Sequence, residues 1–169
     1  MLNATKTIVA ISTASGAGGI GVVRLSGPLA LEIGQQISGS NLKPRIAKFH
    51  SFKDLNGSLI DQGLILFFPG PNSFTGDDVI EFQCHGGTVV TQSILDICLR
   101  LDAVLAEPGE FSKRAYLNNK IDLAQAESIA DLINASTVEA AQSAANSLSG
   151  KFSLEINNLL KYLIELRMY

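Results

Sequence analysis

The chain has 169 residues, a length that suits one domain or one domain with part of a second. It is 46% hydrophobic and 17% charged, with a mean hydropathy of +0.24, which supports a substantial core and argues against intrinsic disorder. The net charge of −3 and the pI of about 5.3 argue against a generally basic, nucleic-acid-binding surface.

The chain shows no targeting segment and no covalent framework. Residues 1–6 lack the long apolar run of a signal peptide, and no uninterrupted apolar segment reaches the roughly 18 residues that cross a bilayer. The two cysteines provide neither a disulfide framework nor metal-ligand spacing. We therefore expect a protein of the reducing cytoplasm, with no metal site and no membrane contact.

The N-terminal segment predicts two strands joined by a glycine-rich loop. Thr7–Thr13 is a β-branched run typical of a buried strand, and Ile20–Leu25 is a second one. Between them, Gly16, Gly18 and Gly21 match the G-x-G-x-x-G spacing of dinucleotide-binding folds. That motif must open a helix, however, and here it leads into a strand. We interpret the glycines as a tight loop that exposes backbone N–H groups to a ligand or a partner loop.

The middle of the chain alternates helices and strands. Helical patterns cover Leu29–Ile37 and Thr88–Leu101, and the second has an apolar stripe at helical spacing. An Asn-Gly pair, a strong hairpin signal, separates two strands at Ala47–Asp54 and Leu59–Phe68. Asp102–Ala106 predicts a short edge strand. This order predicts an α+β fold, a mixed sheet domain with covering helices on one side.

The strand predicted at Val79–Cys84 organises the domain. Its residues alternate strictly, so apolar side chains share one face and polar side chains share the other. The polar face carries a carboxylate, an amide and an imidazole, from Glu81, Gln83 and His85. We interpret this face as the floor of a small-molecule pocket, and an ordinary half-exposed strand is the alternative.

Beyond the sheet, the pattern becomes helical. A short helix is predicted at Pro108–Leu117. Asp122 and Gln125 have the spacing of a capping box that opens the next helix, and Ser136 with Glu139 predicts a second capping box.

A last apolar helix follows Gly150 and reaches Tyr169 without a stop signal, so we expect the helix to continue in a longer parent protein. These patterns predict a sheet domain at 1–119 and the start of a helical domain at 120–169.

Six blocks spread along nearly the whole chain carry a family resemblance: Thr7–Ala10, Gly18–Gly27, Phe68–Glu81, His85–Gly87, Pro108–Phe111 and Leu117–Glu127. Together they resemble the N-terminal folate-binding region of the tRNA-modification GTPases MnmE, also called TrmE. The resemblance implies a tetrahydrofolate-binding and dimerisation domain, related to the tetrahydrofolate-binding domain of aminomethyltransferases. It also implies that a helical domain follows, with a GTPase domain inserted in it.

The resemblance also implies the site residues and the partners. The family's folate-contacting arginine, glutamate and lysine match Arg24, Glu81 and Lys120, with 5-formyl- or 5,10-methylene-tetrahydrofolate as the cofactor. No catalytic residue or metal ligand is implied in this part. Ala17 departs from the family pattern, which has an arginine in the glycine loop.

For the complete protein, the resemblance implies a cytoplasmic homodimer that works with the flavoprotein MnmG (GidA) on carbon 5 of the wobble uridine of certain tRNAs. GTP, Mg²⁺ and K⁺ would bind in the GTPase domain. The P-loop pattern G-x-x-x-x-G-K-[ST] is absent from the 169 residues, which agrees with a GTP site elsewhere. The acidic pI suggests that tRNA contact depends largely on the partner or on other domains.

The chemistry of the three residues agrees with this role. A carboxylate such as that of Glu81 can accept both the N3–H and the 2-amino group of a reduced pterin. Arg24 and Lys120 are candidate counterions of the anionic glutamate tail, with one of them at the tail and the other at the ring in either order. Two other interpretations stay open: Arg24 and Glu81 pair with each other across the sheet, or Lys120 is a solvated loop lysine.

We consider two functions. The first is a folate-binding and assembly module, and the second is a stand-alone folate-dependent one-carbon transferase. The second needs an acid or base close to Glu81, and Asp77, Asp78 and His85 are the candidates. His85 suits either a proton shuttle or a hydrogen-bond donor in a turn. A nucleophile–base pair of Cys84 and His85 is disfavoured, because neighbours on a strand point to opposite faces.

Overall fold

A computed structural model describes residues 6–168 of the chain. The chain forms two compact units, 1–111 and 112–169. The domain boundary at 119/120 that the sequence suggests stays a prediction. None of the described helices is long and apolar enough to span a membrane.

Within residues 6–168, the first unit contains one mixed sheet of six strands. The strands and helices of this unit are β1 (Ile8–Ile11), β2 (Gly18–Ser26), α1 (Ala30–Ser38), β3 (Lys48–Lys53), β4 (Leu59–Phe68), β5 (Val79–Gly86), α2 (Thr88–Arg100) and β6 (Val104–Leu105). Helix α3 (Glu110–Leu117) begins at the end of the first unit and extends beyond residue 111. The sheet order is β3-β4-β5-β2-β1-β6, with all neighbours antiparallel except β1 and β6. The predicted α+β fold with a mixed sheet is confirmed.

The predicted strand after the glycine loop is confirmed as β2, so the glycines do not open a helix and the dinucleotide motif is excluded. The Asn-Gly hairpin is confirmed between β3 and β4. The predicted edge strand forms as the two-residue β6, which pairs with β1.

One face of the sheet is buried under α1 and α2. Alternate residues of β5, namely Ile80, Phe82 and Cys84, join both helices in one hydrophobic core. The rings of Phe52 and Phe82 meet edge to face at 5.3 Å, a favourable aromatic geometry. A Cβ at Gly34 of α1 would lie 3.1 Å from the Ile80 side chain, so the helix packs tightly on the sheet. The predicted apolar face of β5 is therefore confirmed.

The opposite face is closed at one end by the loop 69–78. Thr75 of this loop is fully buried, and its hydroxyl lies 2.7 Å from the hydroxyl of Ser26 on β2. Val79, which pairs with Ser26 in the register of β2 and β5, is only 2% exposed. The Asp78 side chain holds the loop start by accepting the N–H of Gly70 at 2.8 Å. The loop thus covers the start of β5 and leaves the rest of this face uncovered by it.

The second unit contains helices α4 (Leu123–Asn134), α5 (Val138–Leu148) and α6 (Lys151–Arg167) in its described part. The predicted capping box of α4 is confirmed, because Asp122 accepts the N–H of Gln125 and Gln125 accepts the N–H of Asp122. The Asp122 carboxylate also accepts the hydroxyl of Ser153 at 2.6 Å, which links the start of α4 to α6.

The second predicted capping box, Ser136 with Glu139, is wrong. The N-cap of α5 is Thr137, whose hydroxyl accepts the N–H of Ala140 at 3.1 Å. Thr137 is extended at φ −130° and ψ 158°, so its hydroxyl, one residue after the expected one, faces the first free N–H groups of the helix.

Candidate functional site

The polar face of β5 carries the candidate site, as its alternation predicts. Exposure of the side chains rises along the strand, from 17% at Glu81, through a partly exposed Gln83, to 73% at His85. β5 lies between β4 and β2 near the middle of the sheet, which makes Glu81 a rigidly placed acid. The face is therefore a graded surface that is enclosed at Glu81 and open at His85.

Arg24 of β2 lies directly opposite Glu81 in the strand register. Its Nε and Nη2 atoms donate to Glu81 Oε1 at 2.8 and 2.6 Å. The interpretation that the two residues pair across the sheet is therefore confirmed as a contact. Within residues 6–168, Glu81 Oε2 and Arg24 Nη1 make no hydrogen bond. The pair thus keeps one acceptor and one donor group for a ligand.

Two aromatic rings hold the guanidinium of Arg24. The ring centres of Phe74, in the loop before β5, and Phe111, in the first turn of α3, lie 5.9 and 5.7 Å from its Cζ atom. Cation–π contacts at these distances stabilise the charge and limit the rotation of the side chain. Arg24 in turn holds the Glu81 carboxylate, so the acid is oriented before any ligand binds.

Asp61 of β4 anchors His85 at the open end of the face. Its carboxylate accepts the backbone N–H of His85 at 2.7 Å and lies 2.8 Å from His85 Nδ1. Burial alone raises the pKa of Asp61, but the hydrogen bonds from His85 and from the Gln62 backbone outweigh it and bring the pKa below its usual value. Asp61 is therefore ionised at neutral pH, and the His85 Nδ1 atom carries the hydrogen that it donates.

Cys84 faces away from this surface, as predicted from the alternation. It is 4% exposed, and its thiol donates to the carbonyl oxygen of Gly21 at 3.4 Å. Burial, followed by the charge of Asp61, raises the pKa of the Cys84 thiol to about 11. The thiol is therefore protonated at neutral pH and on the opposite face from His85, which excludes a Cys–His nucleophile.

The remaining candidates lie elsewhere or support the loop. Lys120 is exposed in the turn before α4, in the second unit, so its role at the Arg24–Glu81 pair stays a prediction. Asp78 accepts the Gly70 N–H, which gives this carboxylate a role in the loop. Ala17 is exposed in the glycine loop.

A surface cavity of about 210 Å³ lies between the end of α1 and the β3–β4 turn, where it is lined by Gln36, Ile37, Lys53, Asp54, Leu55 and Gly57. None of these residues belongs to the polar face of β5. The cavity is therefore separate from the candidate site.

Comparison with known proteins identifies the family. The family model described as the N-terminus of the GTP-binding protein TrmE matches residues 7–120. The chain belongs to the TrmE N-terminal family. The model of the MnmE helical domain matches residues 123–169, so the helical second part is also that of an MnmE protein.

Individual relatives are named tRNA modification GTPase MnmE. The tRNA modification GTPase MnmE of Pseudomonas entomophila strain L48 is 57% identical over 164 residues, which are 97% of this chain and 36% of the relative. That of Pseudomonas paraeruginosa strain PA7 is 57% identical over 169 residues, which are 100% of this chain and 37% of the relative. The chain thus spans little more than a third of the length of these relatives.

The TrmE N-terminal match contains Arg24 and Glu81 and ends at Lys120. Sequence reasoning missed three residues that shape the site: Phe74, Phe111 and Asp61. The two phenylalanines lie in blocks that carry the family resemblance. Aromatic residues in such blocks could have been proposed as contacts of the arginine on β2. Asp61 offered no such signal, because its contact with His85 depends on how β4 and β5 pair.

Proposed function

We propose that this chain is the folate-binding and assembly part of a tRNA-modification GTPase, with Glu81 as the anchor for the pterin head of a tetrahydrofolate. One observation carries the proposal: Glu81 is fixed by Arg24 through Oε1, while Oε2 remains able to accept hydrogen bonds. The names of the relatives, tRNA modification GTPase, support this reading over a stand-alone folate-dependent transferase.

The residues fit the chemistry of a pterin edge. The 2-amino group and N3–H are neighbouring donors, and the C4 carbonyl beside them is an acceptor. Glu81 accepts from the donors, and Arg24 Nη1 is the donor available for the carbonyl oxygen. Because Arg24 already neutralises Glu81 and is held by two rings, little side-chain freedom is lost when the ligand binds.

The remaining assignments are part of the proposal and are supported by the family resemblance. Lys120 is the third folate-binding residue, and the cofactor is 5-formyl- or 5,10-methylene-tetrahydrofolate, which supplies a one-carbon unit. Two copies of the chain form a homodimer. GTP, Mg²⁺ and K⁺ bind in a GTPase domain that this chain does not include, in keeping with the absence of a P-loop pattern from its sequence.

In the complete protein, the folate carbon becomes part of a substituent on carbon 5 of the wobble uridine in certain tRNAs. The flavoprotein MnmG (GidA) is the partner in this reaction, and the setting is the cytoplasm. The net charge of −3 on this chain supports an arrangement in which the tRNA is held largely by the partner or by other domains.

Isothermal titration calorimetry with 5-formyltetrahydrofolate tests the proposal. Glu81→Ala removes a charged hydrogen-bond acceptor, so we expect the dissociation constant to rise by about ten- to a hundredfold. Glu32→Ala is the matched control, because Glu32 is an exposed glutamate on α1, the helix that packs on the opposite face of the sheet. Equal affinities of the wild type and the Glu81 variant would contradict the proposed role.

A further inference from the structure

The polar face of β5 leaves a ligand at Glu81 only a few directions in which to extend. Toward the start of the strand the way is closed, because Val79 is 2% exposed and the Ser26–Thr75 hydroxyl pair is fully buried. On the β2 side, the guanidinium of Arg24 is in contact with two phenylalanine rings. Toward the end of the strand, exposure rises to 73% at the His85 side chain.

The surface along that open path has apolar side chains on both sides of a polar one. Val22 of β2 and Leu64 of β4 lie on either side of Gln83 in the strand register, and both are accessible, Leu64 at 37%. An aromatic ring that rests here has apolar side chains on both edges and one amide beneath it. The next polar group along the strand is His85, about 13 Å from Glu81 at the usual rise of a strand.

We propose that Gln83 and His85 form a second binding subsite, in which His85 binds a terminal carboxylate of the ligand and Asp61 positions the imidazole. The inference rests on the proposed function, since it takes the ligand to be a tetrahydrofolate with its pterin at Glu81. The aminobenzoyl ring then lies over Gln83, between Val22 and Leu64, and the glutamate tail reaches the end of β5.

The hydrogen bonds present at His85 define its role. The ionised Asp61 takes the hydrogen of Nδ1, so Nε2 is the ring atom that remains for a ligand. Within residues 6–168, Nε2 has no hydrogen-bond partner. In the complex the ring lies between two carboxylates, that of Asp61 and that of the tail, and donates one N–H to each. Arg24 is held at Glu81, so His85 is the donor for the tail on β5 itself.

Calorimetry with two ligands separates this subsite from the head-group site. The first ligand is 5-formyltetrahydrofolate, and the second is a 5-formyltetrahydropterin without the aminobenzoylglutamate part. For His85→Ala in the full 169-residue chain we expect about five- to tenfold weaker binding of the complete ligand and unchanged binding of the truncated one. Glu81→Ala weakens both. Gln36→Ala is the control and leaves both affinities unchanged, because Gln36 is an exposed glutamine on α1, which packs on the opposite face of the sheet.

Proton NMR supplies a readout that does not depend on affinity. The chain contains two histidines, His50 and His85, so an untagged protein gives two sets of imidazole signals, and His85→Ala assigns them. We expect the complete ligand to shift the His85 ring signals and leave those of His50 in place, while the truncated ligand shifts neither.

The possible results lead to different conclusions. Equal loss of both affinities in His85→Ala, or no loss of either, overturns the second subsite while the head-group site stands. If Glu81→Ala binds both ligands as the wild type does, or if the wild type binds neither, the proposed function fails and this inference fails with it.

Discussion

In the proposed site, Arg24 acts on the ligand largely through Glu81, and this determines the expected effect of its replacement. Lysine keeps the positive charge but loses the planar group that donates twice to Oε1 and contacts the rings of Phe74 and Phe111. We expect Arg24→Lys to weaken 5-formyltetrahydrofolate binding by about five- to tenfold, because the carboxylate is less well oriented. Calorimetry measures this change.

Stability separates this positioning role from a general structural one. The Arg24 and Glu81 side chains are 30% and 17% exposed, so solvent weakens their attraction, and Arg24→Lys should cost no more than about 1 kcal/mol in the free energy of unfolding by urea. Arg100→Lys is the control, since Arg100 is an exposed arginine in the last turn of α2, a helix that packs on the opposite face of the sheet. A larger loss of stability, with ligand affinity unchanged, would contradict the positioning role.

At the scale of single residues, the sequence could predict which face of the sheet a side chain occupies, but not which residue it contacts. Alternation along β5 was enough to predict that Glu81, Gln83 and His85 share a face. The pairing of Arg24 with Glu81 links residues 57 positions apart, so it depends on the register of β2 and β5. From the sequence, the pairing of Arg24 with Glu81 was therefore only one of the interpretations left open.

The contact between β4 and β5 depends on a residue without a side chain. A Cβ at Gly63 of β4 would overlap with the backbone carbonyl oxygen of Gln83. Gly63→Ala therefore forces the two strands apart next to the candidate subsite, and we expect a loss of about 2–3 kcal/mol in the free energy of unfolding by urea.

Gly19→Ala provides the control for this substitution. Gly19 lies in β2, and a Cβ there would meet no atom within 4 Å. Both variants carry the same chemical change, so a similar loss in the two would show that the Gly63 contact is not the cause.

The start of α4 depends on one ionised carboxylate. The Ser153 hydroxyl and the Gln125 N–H hold the pKa of Asp122 below its usual value of 3.8. The stabilisation is present above the pKa of the unfolded chain and is lost as the pH falls through the lower pKa of the folded state. We expect Asp122→Ala to lower the free energy of unfolding by about 1 kcal/mol at pH 7, and the difference from wild type to shrink below about pH 4.

Urea titrations at several pH values measure this effect. Asp131→Ala is the control, because Asp131 is exposed within α4 and is not its N-cap. A difference between wild type and Asp122→Ala that grows toward low pH would contradict the assigned cause.

At the scale of secondary-structure elements, the sequence predicted the start of a helix correctly where only one residue could form its N-cap. The capping box at Asp122 was predicted from its spacing and is present. The box at Ser136 was predicted from the same spacing and is wrong, because Ser136 and Thr137 both carry cap-forming hydroxyls and the backbone places that of Thr137 at the free N–H groups. Sequence spacing alone does not distinguish two adjacent candidates.

For the whole molecule, the order of elements predicted an α+β fold, but it could not predict the order of strands in the sheet. β2 lies between β1 and β5, and β6 returns to pair with β1, through contacts between distant parts of the chain. This arrangement places the acid of β5 beside the arginine of β2. The order of the strands therefore brings the residues of the candidate site together, and the sequence alone did not predict this order.

Assembly is the property of the whole molecule that this fold leads us to test. Ile20, at the end of the glycine loop, exposes 68% of its surface on β2, and we expect this loop and the early strands to mediate dimerisation. A buried interface would gain from this apolar surface, whereas a charge in it is costly. We expect sedimentation to show the wild type at about twice its chain mass of 18.0 kDa, and Ile20→Glu to shift the equilibrium toward the monomer.

Leu55→Glu is the matched control, because Leu55 is 47% exposed in the turn between β3 and β4, away from the glycine loop. It introduces the same charge in place of a similar side chain, so it should leave the dimer intact. A monomeric wild type at high concentration would contradict the assembly role. Dissociation by both variants alike would show that added negative charge, and not the loop of Ile20, controls the association.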